Sequence, residues 1–229
     1  MIAAIWALPL VPAITAAVGL VLPLRWRRAA AILGVAGTAV PLAAALLLFV
    51  TGDRRTSANP LIDFGDIEVG LSVHMDPKVA AVAVAVGTVA LLVQVYSIAY
   101  QRDDDRYAPY AAQIGLFTAA MLLVLVADDL IVLLVGWEVM GACSYLLIGH
   151  DRALPEAPAA AVKAFLVTRV GDVGFLLGIV LLGVTAGSFR ITDVLAAVPS
   201  MAGAAATAAA LLLLAGVAGK SAQFPLHTW

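Results

Sequence analysis

The chain has 229 residues, 63% of them hydrophobic and 12% charged, with a net charge of -2. Soluble domains carry roughly 25% charged residues, so this composition leaves too little polar surface to coat a water-soluble globule. The scattered basic residues exclude a nucleic-acid surface, and the single cysteine, Cys143, excludes an intrachain disulfide or a cysteine metal site.

A helix needs about 20 apolar residues to cross ~30 Å of hydrocarbon. Seven stretches qualify: 2–22, 29–50, 79–99, 111–127, 130–149, 159–185 and 201 onward. They are too long for barrel strands and lack apolar/polar alternation, which predicts an all-α fold, a polytopic transmembrane helical bundle. The first stretch carries Arg25, Arg27 and Arg28 behind it, whereas a secretory signal carries its positive charge in front. It reads as a retained span. Between the second and third spans lies the one sizeable extramembrane segment, where Ile67, Val69, Leu71 and Val73 recur at spacing two and predict a short β-hairpin. The fourth span sits at the short end of the allowed range. Arg25, Arg27, Arg28, Arg102, Arg106 and Arg152 fall in alternate loops, which the positive-inside rule assigns to the cytoplasm. The N-terminus, the 51–78 segment, the Asp128-Asp129 turn and the 187–200 loop are then external, with Arg54, Arg55, Lys78 and Arg190 as exceptions. Asp128 and Asp129 are expected to cap the fifth helix, whose N-terminus favours negative charge.

Ionisable side chains deep in a span cost at least ~2.5–3.5 kcal/mol and normally face protein or water. Glu138, in the fifth span, lies nine residues after Asp129 and twelve before His150, about 13 Å and about 18 Å from the two ends and so near the midplane. It reads as a proton carrier or the electrostatic partner of one, against the alternative of a protonated Glu bonded to a neighbouring helix. In the sixth span, Arg169 and Asp172 lie three apart on one helix face and can pair, for structure or for function. Lys163, about one turn into that span, either snorkels or feeds protons from the cytoplasm. Pairs at small-xxx-small spacing, Gly174/Gly178 and Gly183/Gly187, predict close helix packing.

Lys220 follows a long uncharged run. A lysine held out of water is able to release and regain a proton at working pH. Counted from Met201, straight helix carries Lys220 about 28 Å, close to the far interface, so its depth stays open between a buried amine and a snorkelling one. Pro225 clashes with the Ser221 carbonyl and is expected to interrupt the seventh span; broken helices serve ion sites in many transporters, although simple kinks are as common. A phosphate-loop reading of Gly219-Lys220-Ser221 needs a glycine where Leu214 stands, and fails. His150 and His227 are weaker candidates, each as compatible with an interfacial histidine as with a proton relay.

Gly136-Trp137-Glu138, Lys163-Ala164-Phe165 with Thr168-Arg169-Val170-Gly171-Asp172, and the run from Gly219 to Trp229 together resemble the antiporter-like membrane subunits of respiratory complex I. Subunit L of NADH:quinone oxidoreductase is the nearest in kind, and the related large subunit of Mrp-type cation/proton antiporters comes next. The resemblance runs through the whole chain in order and spacing, although the N-terminal third is generic. It implies two inverted five-helix repeats, each with a broken helix and a line of buried charges through which protons move. By motif, Glu138 matches the essential glutamate of the fifth helix, Lys220 the lysine of the broken seventh, and Arg169 and Asp172 the charged pair of the sixth. Family members continue past the broken helix, so this chain is expected to form a single transmembrane domain. In it, 1–110 supplies N-terminal spans and the hairpin, and 111–229 an incomplete first repeat.

The resemblance implies a multi-pass subunit of the bacterial inner membrane with its N-terminus outside. It would conduct protons within a redox-driven complex by changes in the Glu138 to Lys220 interaction. Its partners would be lipid and other membrane subunits, with no nucleic acid. No cofactor is expected in this chain; FMN, iron–sulfur clusters and quinone belong to other subunits, since one cysteine cannot hold a cluster. The alternatives are a subunit of an Mrp-type cation/proton antiporter and a structural membrane subunit whose buried charges only lock helices.

Overall fold

The computed structural model describes residues 2–57, 60–63 and 68–229. In chain order the elements are α1 (Ile2–Val21), α2 (Arg27–Thr51), β1 (Arg55–Ser57), β2 (Pro60–Asp63), β3 (Glu68–Gly70), β4 (Val73–Met75), α3 (Pro77–Tyr100), α4 (Tyr107–Val126), α5 (Leu130–Ile148), α6 (Ala157–Ala186), α7 (Ile191–Ala197) and α8 (Gly203–Lys220). All the helices but α7 are long and apolar enough to cross a membrane. The protein is a multi-pass helical membrane protein. The fourth span is no longer marginal: α4 starts at Tyr107 and runs for 20 residues, because Pro109 falls in the first turn, where its missing N–H is not needed. α3 starts sharply for a matching reason, with Pro77 in its first turn and the Asp76 side chain accepting the Val79 N–H at 2.8 Å.

The extramembrane segment holds two antiparallel strand pairs. β1 pairs with β4 in the register Arg55↔Met75, Thr56↔His74, Ser57↔Val73, and β2 pairs with β3, Asp63 opposite Glu68. The alternation read from sequence is split: Val69 is in β3 and Val73 in β4, while Leu71 stands between them in no strand, and Ile67 lies outside the described residues. The break has a cause at Ser72, whose carbonyl accepts the Asp128 N–H at 2.8 Å rather than a partner strand.

The chain divides into two compact units. The first comprises 2–57, 73–126 and 136–147. Within it α1 packs on α2 and α4, and α3 on α2 and α4. Leu8, Leu48, Met75, Ala83 and Leu122 meet in its apolar core. Its buried polar side chains are neutral. Gln94 donates to the Ala111 carbonyl at 2.8 Å, and Thr38, Ser97 and Thr118 bond to carbonyls of their own helices. α5 joins this unit at Gly136, where a Cβ would lie 3.1 Å from the Ala120 carbonyl oxygen of α4.

The second unit comprises the described part of 58–72 together with 127–135 and 148–229. Its centre is the packing of α6 on α8. Gly187, in the left-handed region at φ 70°, closes α6, and the chain returns through α7 and a single 3-10 turn to α8.

Candidate functional site

The second unit builds its site where α6 and α8 cross. A Cβ on Gly171 would sit 2.6 Å from the Ala215 carbonyl oxygen, and one on Gly219 would sit 3.3 Å from the Gly171 Cα. Only glycine at both positions lets the two backbones meet. Gly174 faces Leu212 and Ala215, and Gly178 faces Leu213, so position rises along α6 as it falls along α8 and the helices are antiparallel. The residue after each crossing glycine is charged: Asp172 on α6 and Lys220 on α8.

This crossing fixes Lys220 relative to α6. α6 has 30 residues and is therefore about 45 Å long, with Gly171 about 21 Å from its start. Lys220 thus stands beside the midpoint of the longest span, and a helix that crosses ~30 Å of hydrocarbon has its midpoint inside it. Lys220 is half-buried there, within electrostatic reach of Asp172 and Arg169. Arg169 Nη1 lies 3.3 Å from Asp172 Oδ2, with Asp172 only 4% exposed, and the guanidinium also stacks 4.6 Å over the Phe165 ring. The arrangement is one buried carboxylate paired with a guanidinium and in electrostatic contact with a lysine, where a glycine contact brings the two helices together.

The interruption expected at Pro225 comes earlier. α8 stops at Lys220, and Ser221 caps it. Ala222 then turns left-handed at φ 52°, and the Gln223 N–H bonds back to the Ala218 carbonyl at 2.9 Å, the closing bond of a Schellman ending. The Trp229 indole N–H donates to the Gly219 carbonyl at 3.0 Å, satisfying one of the carbonyls a helix end leaves over. Pro225 follows in a second turn, closed by the Leu226 N–H on the Gln223 carbonyl at 2.6 Å, with a cis Phe224–Pro225 peptide bond.

The other candidates are dispersed. Glu138 is half-buried on α5 within the first unit. Lys163 is exposed in the second turn of α6, beside an open apolar cleft with Pro158, Val162 and Leu166, and takes no part in the crossing. His150 is half-buried just past α5, and His227 is exposed with its ring 5.6 Å from that of Phe224. Gly183 and Gly187 form no helix–helix contact: a Cβ on Gly183 would strike the Phe189 ring, and Gly187 is the cap.

The two aspartates before α5 divide their work. Asp129 caps the helix, its Oδ1 accepting the Ile131 N–H at 2.8 Å and the Val132 N–H at 3.2 Å, while Oδ2 takes the Gly70 N–H at 3.2 Å. Asp128 does not cap α5. Its carboxylate accepts the Thr192 hydroxyl at 2.7 Å and lies 3.3 Å from Arg190 Nε, a role invisible to sequence because the partners are more than 60 residues away.

Comparison with known proteins matches residues 127–229 to the family described as NADH:quinone oxidoreductase/Mrp antiporter, TM. Residues 61–111 match NADH-Ubiquinone oxidoreductase (complex I), chain 5 N-terminus. The chain is 39% identical over 214 residues to NADH-quinone oxidoreductase subunit L of Neisseria meningitidis, covering 86% of this chain and 32% of that protein. It is 40% identical over 176 residues to F(420)H(2) dehydrogenase subunit L of Methanosarcina mazei, covering 68% of this chain and 26% of that one. Among solved structures, a chain of the Mrp complex from Dietzia sp. DQ12-45-1b superposes with a TM-score of 0.82 at 28% identity, over 97% of this chain and 24% of that chain. The chain therefore spans about a third or less of the length of the relatives it matches.

Proposed function

We propose that this chain, which belongs to the family of NADH:quinone oxidoreductase and Mrp antiporter membrane subunits, conducts protons across the bilayer as part of a redox-driven NADH:quinone oxidoreductase. The observation that carries the reading is the buried Asp172 carboxylate, paired with Arg169 and in electrostatic contact with Lys220 beside the midpoint of α6. Lys220 is the group that takes up and releases the proton. When Asp172 turns toward it the ammonium is favoured, and when Arg169 takes up Asp172 the proton is free to move on. Glu138 is a further intramembrane carboxylate of the route, with Lys163 and His150 toward the cytoplasmic ends of their helices and His227 beyond the α8 turn.

On this reading the protein sits in a bacterial inner membrane with its N-terminus outside, within a complex whose other subunits carry FMN, iron–sulfur clusters and quinone. The chain makes one transmembrane domain, 1–110 its N-terminal spans and 111–229 part of a first antiporter-like repeat. The test is Lys220→Ala in the full-length protein, with NADH-driven acidification followed by a pH-sensitive dye in vesicles. Acidification is expected to fall at least tenfold while the complex still assembles; intact pumping would overturn the role of Lys220. A second reading, as part of a cation/proton antiporter, is favoured by the superposition on a chain of the Mrp complex. Cation exchange in vesicles without NADH or quinone would decide for it.

A further inference from the structure

Asp128 has no part in the proton route above, yet it is among the most heavily bonded side chains in the second unit. It is 3% exposed. Its Oδ1 accepts the Thr192 N–H at 3.2 Å and the Thr192 hydroxyl at 2.7 Å, and Oδ2 lies 3.3 Å from Arg190 Nε. The main chain adds three bonds: Asp128 N–H to the Ser72 carbonyl at 2.8 Å, Ile191 N–H to the Asp128 carbonyl at 2.9 Å, and Leu130 N–H to the Phe189 carbonyl at 2.9 Å. An exposed ion pair would count for little. Here the carboxylate is buried while Thr192 is exposed and the Arg190 side chain is 36% exposed, so its removal costs the bonds themselves, and the freed donors turn to solvent.

What Asp128 joins gives it a use. α5 starts at Leu130. α6, which bears Arg169 and Asp172, ends at Ala186, and the Phe189 ring is pressed against Gly183 in its last turns. The segment 189–192 is thus attached to α6 on one side by Phe189 and to the start of α5 on the other by Asp128. We propose that Asp128 is a positioning residue for transport, fastening the start of α5 to the end of α6 so that the two move as one piece. A displacement of either helix end then reaches the charge pair on α6 through packed, bonded groups. The fastening stands by itself; its consequence for transport rests on the proton-conduction reading.

The test uses the full-length protein in its assembled complex, reconstituted in lipid nanodiscs for exchange and in vesicles for transport. In Asp128→Ala, hydrogen exchange at the Leu130, Ile191 and Thr192 amides should rise at least tenfold, and protons moved per NADH oxidised should fall at least twofold. Asp128→Asn, which keeps an acceptor for Thr192, should restore most of both. Unchanged exchange in Asp128→Ala, or raised exchange with unchanged protons per NADH, overturns the proposal. Should Asp128→Ala not assemble, Thr192→Val removes one donor, and exchange at Ile191 should still rise about threefold; no rise overturns it. Lys220→Ala separates the two ideas. It should leave exchange at these amides unchanged, and pumping that survives it sinks the conduction reading while leaving the fastening to be judged on exchange.

Discussion

In the bundle of α1 to α4 the side chains of Thr38, Gln94, Ser97 and Thr118 are buried, and all are neutral; in the second unit Asp128, Asp129 and Asp172 are buried to the same degree, and all carry carboxylates. The neutral groups are cheap to bury. The hydroxyls of Thr38, Ser97 and Thr118 turn back on carbonyls about one turn earlier in their own helix, and Gln94 needs no more than the Ala111 carbonyl of the neighbouring α4. A carboxylate has no such recourse, because a helix interior offers it no free donor. Asp129 therefore takes donors from a helix start and from Gly70, Asp128 from Arg190 and the first turn of α7, and Asp172 sits in an ion pair with Arg169. The first unit shows how a membrane bundle is held together by packing. The second shows what extra placement is needed once charge is kept inside, and that placement is what a transport site requires.

The widest gap between the two regions should appear when one buried polar side chain is removed from each. Asp172→Ala leaves Arg169 without its carboxylate in a poorly solvated place, and breaking a buried pair costs about 3–5 kcal/mol. Gln94→Leu removes one bond to the Ala111 carbonyl at similar volume, for about 1 kcal/mol. Unfolding of both variants in mixed micelles would measure the difference. Equal losses would mean that the charge on Asp172 is solvated after all, and the contrast between the units would go with it.

Backbone contact separates the regions next. In Gly171→Ala the new methyl meets the Ala215 carbonyl, a main-chain atom that cannot step aside, and overpacking of this kind costs about 1–3 kcal/mol. At Gly115 in α4 a Cβ would stand 3.4 Å from the Ala16 Cβ, an ordinary contact. Gly115→Ala should be neutral or stabilising, since alanine is preferred over glycine in a helix by up to about 1 kcal/mol. Thermal unfolding would rank the pair, and a neutral Gly171→Ala would show that α6 and α8 have slack at their crossing.

Much of the fold could be read along the chain. Apolar length located all seven spans, and the three-residue spacing of Arg169 and Asp172 put them on one face. The depth of Lys220 could not be read. Counting along α8 gives its distance from its own start, whereas its place beside the middle of α6 comes from the antiparallel crossing at Gly171 and Gly219, a tertiary fact. A signal was present in the glycine that precedes each of Asp172 and Lys220, though spacing within a helix does not say which glycines meet. Asp128 was misread for a related reason. Capping rules look a few residues ahead, and its partners Arg190 and Thr192 lie two spans further along. Nor does sequence mark Ala222, since the left-handed turn that ends a helix is normally glycine.

The smallest effect belongs to the first region, at a carboxylate that is charged without being buried. The Val79 N–H, bonded to Asp76, holds its carboxyl below the usual carboxylate range, against an opposing push from desolvation. A carboxyl whose folded value is depressed adds stability that is complete above its unfolded value, near ~3.9, and that disappears as pH falls through the folded one. Asp76→Ala should therefore cost about 1 kcal/mol at neutral pH, as the loss of a helix cap does. The gap to the unsubstituted protein should narrow below about pH 4, while Asp76→Asn, a cap without a charge, should keep a constant offset from Asp76→Ala. Melting curves of the three proteins between neutral pH and about pH 3 would test this. A gap between Asp76 and alanine that does not change with pH would mean that the cap works through shape alone, leaving the second unit as the place where carboxylate charge matters.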